Sequence, residues 1–205
     1  MSSLKYLPAT IGTLVKLRER LQLVMRGKDV LEMRRDQLIK EIYYLLEEIK
    51  KREDLERELY RLYTKIKELF MISDPNKIHS YAKIVKKPRF RILYESLLGV
   101  KVPKIEILVE PDFTQISDPA IYNIAIELWN LLQRLFNITM KELAVESLTN
   151  ELAYINRVVN SLEKSVIPQI KEQIHYVENR IQEESLGSFV RIKKVRDLLQ
   201  KRREE

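Results

Sequence analysis

Side chains able to do acid–base, nucleophilic or metal chemistry are few and scattered along the chain. There are two histidines and no cysteine, which excludes disulfides, thiolate nucleophiles and thiolate metal sites. His79 and His175 lack neighbours at ligand spacing, so both read as ordinary surface or partly packed residues. No phosphate-cradling glycine loop, HExxH run or Ser/His/Asp arrangement occurs. The many glutamates lie three or four positions from Lys and Arg, the spacing of solvated helix-face pairs rather than of paired catalytic carboxylates. No catalytic residue, cofactor or metal is therefore expected.

Charge is the stronger surface signal. The net charge is +7, but residues 1–28 hold six Lys/Arg against one Glu, and residues 188–205 hold seven against three acids. The two termini thus carry +5 and +4, and the interior is slightly negative. If they meet, they make a basic tip of Lys5, Lys16, Arg18, Arg20, Arg26, Lys28, Arg191, Lys193, Lys194, Arg196, Lys201, Arg202 and Arg203. Such a tip is either a solvated end favoured by the helix dipole or a dock for an acidic protein, nucleic acid or lipid headgroup. Tyr6 and Phe189 are the only aromatics there, too few to stack single-stranded bases.

The elements that would carry this tip are long helices, in keeping with 33% charged residues and only 4 glycines. From Leu14 to Phe70 apolar residues keep a 3-4 alternation without proline, through Leu17, Leu21, Leu31, Leu38, Leu45, Leu59 and Tyr63. That predicts one unbroken coiled-coil helix from Thr10 to Met71, roughly 93 Å at 1.5 Å per residue. Ser73-Asp74-Pro75-Asn76 stops it. Arg89–Tyr94 and Lys104–Val109 alternate as a β-hairpin, with Phe90, Ile92 and Tyr94 on one face, Ile105, Ile107 and Val109 on another, and Leu97–Pro103 as connector. A lone hairpin is marginal in water, so it should lean on helices or a partner.

Ser117-Asp118-Pro119 offers a cap and a first-turn proline for a second helical region from about Ile121 to Gln200. Pro168 should bend it, and Asn137 is a softer place for a break. Ile121–Met140 is apolar, but Asn123, Glu127, Asn130, Arg134 and Asn137 draw a wet stripe that rejects a membrane span. Further on, Val159, Leu162, Val166, Ile170, Ile174, Val177 and Ile181 form a thin seam with an extra four-residue step. A seam so narrow needs a second helix along it, and the N-terminal helix supplies one. The expected fold is all-α dominated: an antiparallel two-helix coiled coil with a central β-hairpin and a short helical foot. Its divisions are 1–72, 73–141 and 142–205. No N-terminal signal pattern is apparent.

Charges at seam positions suggest a register, with facing residue numbers totalling about 212 or 213. Lys28 would then face Glu184, Arg35 Glu178, and Glu56 Arg157, while Gly27 meets Ser185 beside Gly187 at a close crossing. Alternatively these charges are simply solvated and the glycines tolerated. In this register Phe70 faces Glu142 or Leu143, and residues 119–141 overhang. Their apolar side would cover the hairpin as a foot or dock another protein.

Several stretches resemble the D subunit of the V-type and archaeal A-type ATPases. RVVNSLEKSVIPQI (157–170), HYVENRIQEE (175–184) and RIKKVR (191–196) look like its C-terminal helix. At the other end Leu14, Lys16, Arg18, Leu21, Gly27, Lys28, Leu31, Arg34, Arg35 and Asp36 follow the family's N-terminal pattern, and GVKVPKIE (99–106) is similar to its hairpin. Ser185-Leu186-Gly187-Ser188 departs from the Arg and acidic residues usual before Phe189. The resemblance implies a non-catalytic central-stalk rotor. Its tip, with Lys5, Lys16, Arg18, Arg20, Arg26, Arg191, Lys193, Lys194 and Arg196, would enter the catalytic hexamer of A and B subunits. The F subunit would bind the shaft, and the C subunit would join the foot to the membrane rotor ring. The chain would be peripheral to the cytoplasmic face of the membrane, with neither membrane insertion nor nucleic acid expected. Other readings of the residues are a prefoldin-like chaperone and a basic coiled-coil scaffold on nucleic acid.

Overall fold

The computed structural model describes the backbone of residues 8–204 and the side chains of 8–197. In order, the elements are α1 (Ile11–Ile49), α2 (Arg52–Ile72), α3 (Pro75–Ile84), β1 (Arg89–Leu97), β2 (Val100–Val109), α4 (Pro119–Ser161), a π-helical turn (Leu162–Val166) and α5 (Ile167–Glu204). The chain divides into two compact units. One comprises residues 1–35 and 154–205, the other residues 36–153.

Within the first unit, α1 and the C-terminal helical tract run antiparallel, since Arg18 reaches Glu178 while Lys28, further along α1, reaches Glu163. Leu17 is buried, as are Ile155, Val159, Ile170 and Val177 on the other side. Leu21, Leu162, Val166 and Ile181 are half-buried. Eleven residues separate buried Val159 from buried Ile170, four more than a heptad. The surplus is absorbed by the π-turn, where the Ile167 N–H bonds back to the Leu162 carbonyl. Pro168 follows at once. It lacks an N–H and its ring crowds the carbonyl four residues back, so a locally widened backbone accommodates both demands.

The second unit holds the rest of α1, α2, α3, the hairpin and most of α4. Here α2 and α4 are antiparallel, with Glu58 paired to Arg134 and Lys65 to Glu127. Leu55 packs with Leu131 and Ile138, while Leu69 packs with Ile121 and Ile116. The helix expected to run unbroken to Met71 is interrupted at Lys50–Lys51, where the Lys51 N–H reaches only the third preceding carbonyl, that of Glu48. This break shifts the seam by one residue. Before it, Leu38 and Leu45 are buried on the expected phase. After it, Leu55, Leu62 and Leu69 are buried, whereas the expected Leu59, Tyr63 and Phe70 are exposed. At Asn137, by contrast, α4 passes without a break.

The hairpin is longer than expected, because most of the connector joins the strands. Leu97 pairs with Val100 across a two-residue turn, Leu98-Gly99. Both turn residues have positive φ (51° and 79°), as a type I′ turn demands, and Gly99 supplies this without strain. Phe90 lies opposite Ile107 and Ile92 opposite Ile105, so the two apolar sets share one face of the sheet instead of occupying two. Phe90 packs edge-on to Phe136 and 6.1 Å from Trp129, which leans the hairpin on α4.

Cross-helix ion pairs overturn the expected register. Facing residue numbers total 191–196 in the first unit and 189–194 in the second, a slip of about 20 residues, or about 30 Å, from the expectation. Lys28 therefore meets Glu163, not Glu184, and Glu178 meets Arg18, not Arg35. No close crossing exists at the glycines: a Cβ on Gly27 would meet nothing, and one on Gly187 only the Arg191 side chain. Nor do residues 119–141 overhang. Their apolar side is divided between α2 and the hairpin.

The shifted seam separates adjacent leucines by effect. Leu62 is 2% exposed and Leu59 47%, so Leu62→Ala should destabilise the protein by about 2–5 kcal/mol and Leu59→Ala by about 0.5 kcal/mol. Chemical denaturation of the two variants, read by far-UV circular dichroism, checks the phase.

Candidate partner surfaces

Each anticipated tip residue takes its position from the helices just described. Lys16, Arg20 and Arg26 project from α1 into solvent. The Arg18 Nη2 atom donates to Glu178 Oε1 at 2.6 Å, so this cation clamps α1 to α5. Arg191 donates to the Gly187 carbonyl of its own helix, and Arg196 lies 3.6 Å from Asp197. Lys193 and Lys194 are exposed. Lys5 and the side chains of Lys201, Arg202 and Arg203 lie outside the described residues.

The observed register explains what stands around these cations. With Arg18 opposite Glu178, the start of α1 at Ile11 falls opposite the mid-180s, and α5 continues to Glu204. Beyond that level Leu186, Phe189, Val190, Ile192 and Val195 are all exposed. This tract is therefore apolar as well as basic, an arrangement suited to a protein surface rather than to water alone. Charge counting reveals only its basic half.

In each unit, ion pairs border the seam. Lys28 Nζ sits 2.9 Å from Glu163 and 3.5 Å from Glu32. The hydrogen bond from Lys28 holds the Glu163 carboxyl below the usual carboxylate range, and the same bond raises the Lys28 ammonium above the ordinary lysine value. In the second unit, Arg52 reaches Glu142 at 2.6 Å and Lys141 reaches Glu48 at 2.8 Å, which lowers the Glu48 carboxyl in the same way. Exposed pairs of this kind add little stability, but a slipped register would separate these particular partners.

No group of three or more His, Cys, Asp or Glu among the described residues is placed to hold a metal. No described helix is long and apolar enough to cross a membrane. A second basic tract escapes a charge count of the termini: residues 77–94 carry six Lys/Arg and no acid. Averaging the interior into one slightly negative block conceals it.

Long antiparallel helices bordered by ion pairs within each unit, with a β-hairpin in the second, define a coiled-coil protein dominated by helix. The family model for the D subunit of ATP synthase matches residues 13–197, and the chain belongs to that family. It is 27% identical to the V-type ATP synthase D subunit of Thermotoga neapolitana, over 92% of this chain and 96% of the relative. Against the A-type ATP synthase D subunit of Methanoregula boonei identity is also 27%, over 95% and 97%. The V-type ATP synthase D subunit of Streptococcus pyogenes serotype M1 is 28% identical over 89% and 93%.

The Lys28–Glu163 pair makes stability depend on pH in a defined sense. A depressed carboxyl stabilises above its ordinary range and ceases to do so as pH falls through its lowered value. A raised ammonium stabilises below its ordinary value and ceases to do so as pH climbs through its raised one. The Tm difference between wild type and Glu163→Gln should thus be widest between the ordinary carboxylate and lysine ranges, shrinking as pH falls through the lowered carboxyl value or climbs through the raised ammonium value. Thermal melts of both proteins across that range measure it.

Proposed function

We propose that this chain is the non-catalytic central shaft of a V/A-type rotary ATP synthase or ATPase, carrying torque between ATP chemistry and ion flow. On this reading the ends of α1 and α5 occupy the bore of the catalytic hexamer of A and B subunits. The F subunit binds along the shaft. The C subunit joins the hairpin-bearing part to the membrane rotor ring, so that the chain is peripheral to the cytoplasmic face of the membrane.

The observation that carries the reading is the described end of α5. It extends past the start of α1 with Leu186, Phe189, Val190, Ile192 and Val195 exposed among Arg191, Lys193, Lys194 and Arg196. A charged and apolar helix end suits insertion into a ring of protein, where the apolar residues leave water and the cations orient the encounter. Along the paired helices, the ion pairs hinder one helix from sliding past the other, which a torque-carrying part requires. Membership in a family whose relatives are named as ATP synthase subunits supports the same assignment.

The exposed apolar residues of α5 also suit a clamping chaperone, and one experiment separates the two. Purified wild type should be retained by immobilised A/B hexamer and should leave a model aggregating client unprotected. Neutralising Arg191, Lys193 and Lys194 together should weaken hexamer retention by about tenfold or more and slow ATP-driven rotation. Unchanged retention and rotation in that variant would remove the cations from the docking surface.

A further inference from the structure

Against residues 77–94 lies an apolar concavity of the second unit. A cavity of about 360 Å³ opens between α2, α3 and α4, walled by Leu69, Ile78, Tyr81, Ile116, Ile121 and Ile124. Beside it a second, of about 320 Å³, is walled by Pro88, Phe90, Pro111, Trp129, Leu132 and Phe136. Val85, Phe113, Ala125 and Leu128 border both, so the two form one bipartite trough. At its edge Phe70, Met71, Ile72 and Ile84 are exposed, Ile72 to 86%. Apolar surface this extensive marks a contact site.

The margin is cationic. Lys83 in the last turn of α3, Lys86 and Lys87 on the link that follows, and Arg89 at the start of β1 are all exposed. Nearby cations have intramolecular partners, Lys77 with Asp118 and Arg91 with Glu106. Of the nearby acids, Asp112 accepts from the N–H and hydroxyl of Thr114 within its own turn and also feels the charge of Lys86, and Glu110 is exposed. The balance of the margin is positive.

We propose that this trough and its cationic margin are a docking surface for an acidic amphipathic helix of a partner protein. Two adjoining apolar cavities accept side chains from one face of such a helix, spaced a turn or two apart. Lys83, Lys86, Lys87 and Arg89 then meet the carboxylates of its other face, giving orientation and selectivity against basic helices. The proposal deepens the shaft reading and rests on it for the partner, since it specifies how the hairpin-bearing part is gripped by the protein beyond it.

Trp129 is the only tryptophan and lines the second cavity, so its fluorescence reports occupancy without a label. The full-length protein is titrated with a synthetic helix of roughly 18 residues, Leu and Phe on one face and Glu on the other. Parallel arms use the same peptide with Lys for Glu, and vesicles of phosphatidylcholine with phosphatidylglycerol. The acidic peptide should shift Trp129 emission saturably and the basic peptide should not. Ala82 is an exposed residue lining the first cavity, and both Lys86→Glu/Lys87→Glu and the bulkier Ala82→Phe should weaken the response about tenfold or more while far-UV circular dichroism stays native. No saturable shift with the acidic peptide, undiminished responses from both variants, or a shift with vesicles alone would overturn the proposal. A hexamer pull-down run beside it keeps the readings apart: lost hexamer binding with an intact peptide response defeats the shaft, not the trough.

Discussion

The constraint from which the rest follows is a pair of narrow apolar seams that must be covered by each other. Neither α1 nor the C-terminal tract has enough apolar surface to form a core alone, and burial is confined to a file of residues such as Leu17, Val159, Ile170 and Val177. Each buried leucine or valine contributes about 1.5–3 kcal/mol when removed from water. That contribution is indifferent to sliding by whole heptads, because the same residue types recur. Selection among registers falls to features that do not repeat: the Lys50–Lys51 break, the π-turn before Pro168 and the flanking ion pairs. The apolar seam favours pairing, and the irregularities and charges decide which pairing.

This division of labour explains what can be read from the residues. The antiparallel helices, the hairpin and the seam from Leu14 to Ile49 are legible because strict periodicity admits one interpretation. Past Lys50 the chain offers two apolar files one residue apart, Leu59-Tyr63-Phe70 and Leu55-Leu62-Leu69, with no glycine or proline to announce the change. The outer file continues the earlier phase and is the natural extrapolation; packing against Leu131 and Ile138 chooses the inner one. The register fails for a related reason. Lys28, Arg35, Glu56 and Arg157 match as seam charges, whereas Arg18, Glu48, Lys65, Glu127, Arg134 and Glu142 pair along the flanks. With a third of all residues charged, opposite signs meet in many registers, so charge matching at a few seam positions discriminates poorly.

The surfaces are legible in proportion to their compositional contrast. A terminal run rich in Arg and Lys stands out, but its apolar half emerges only from the structure, where Leu186, Phe189, Val190, Ile192 and Val195 are exposed. The tract from Lys77 to Tyr94 is easily overlooked because its helix is short and its apolar residues pack in part. Ile78, Tyr81 and Val85 lie against the cluster of Leu69, Ile116 and Ile121 yet still line open space. A segment that is half core and half surface yields no clean periodic signal.

Both candidate surfaces share a chemistry, apolar groups set among cations, and they sit on supports of different kinds. The end of α5 is a helix whose apolar side chains Leu186, Phe189, Val190, Ile192 and Val195 are exposed. The trough is built from α2, α3, α4 and the 111–116 segment together, held by the Lys77–Asp118 pair and by the Asp74 and Asp118 caps. Its shape is therefore set before a partner arrives, which lowers the ordering entropy of association. Preorganisation favours lasting grip, and an exposed helix end favours contacts that can be exchanged.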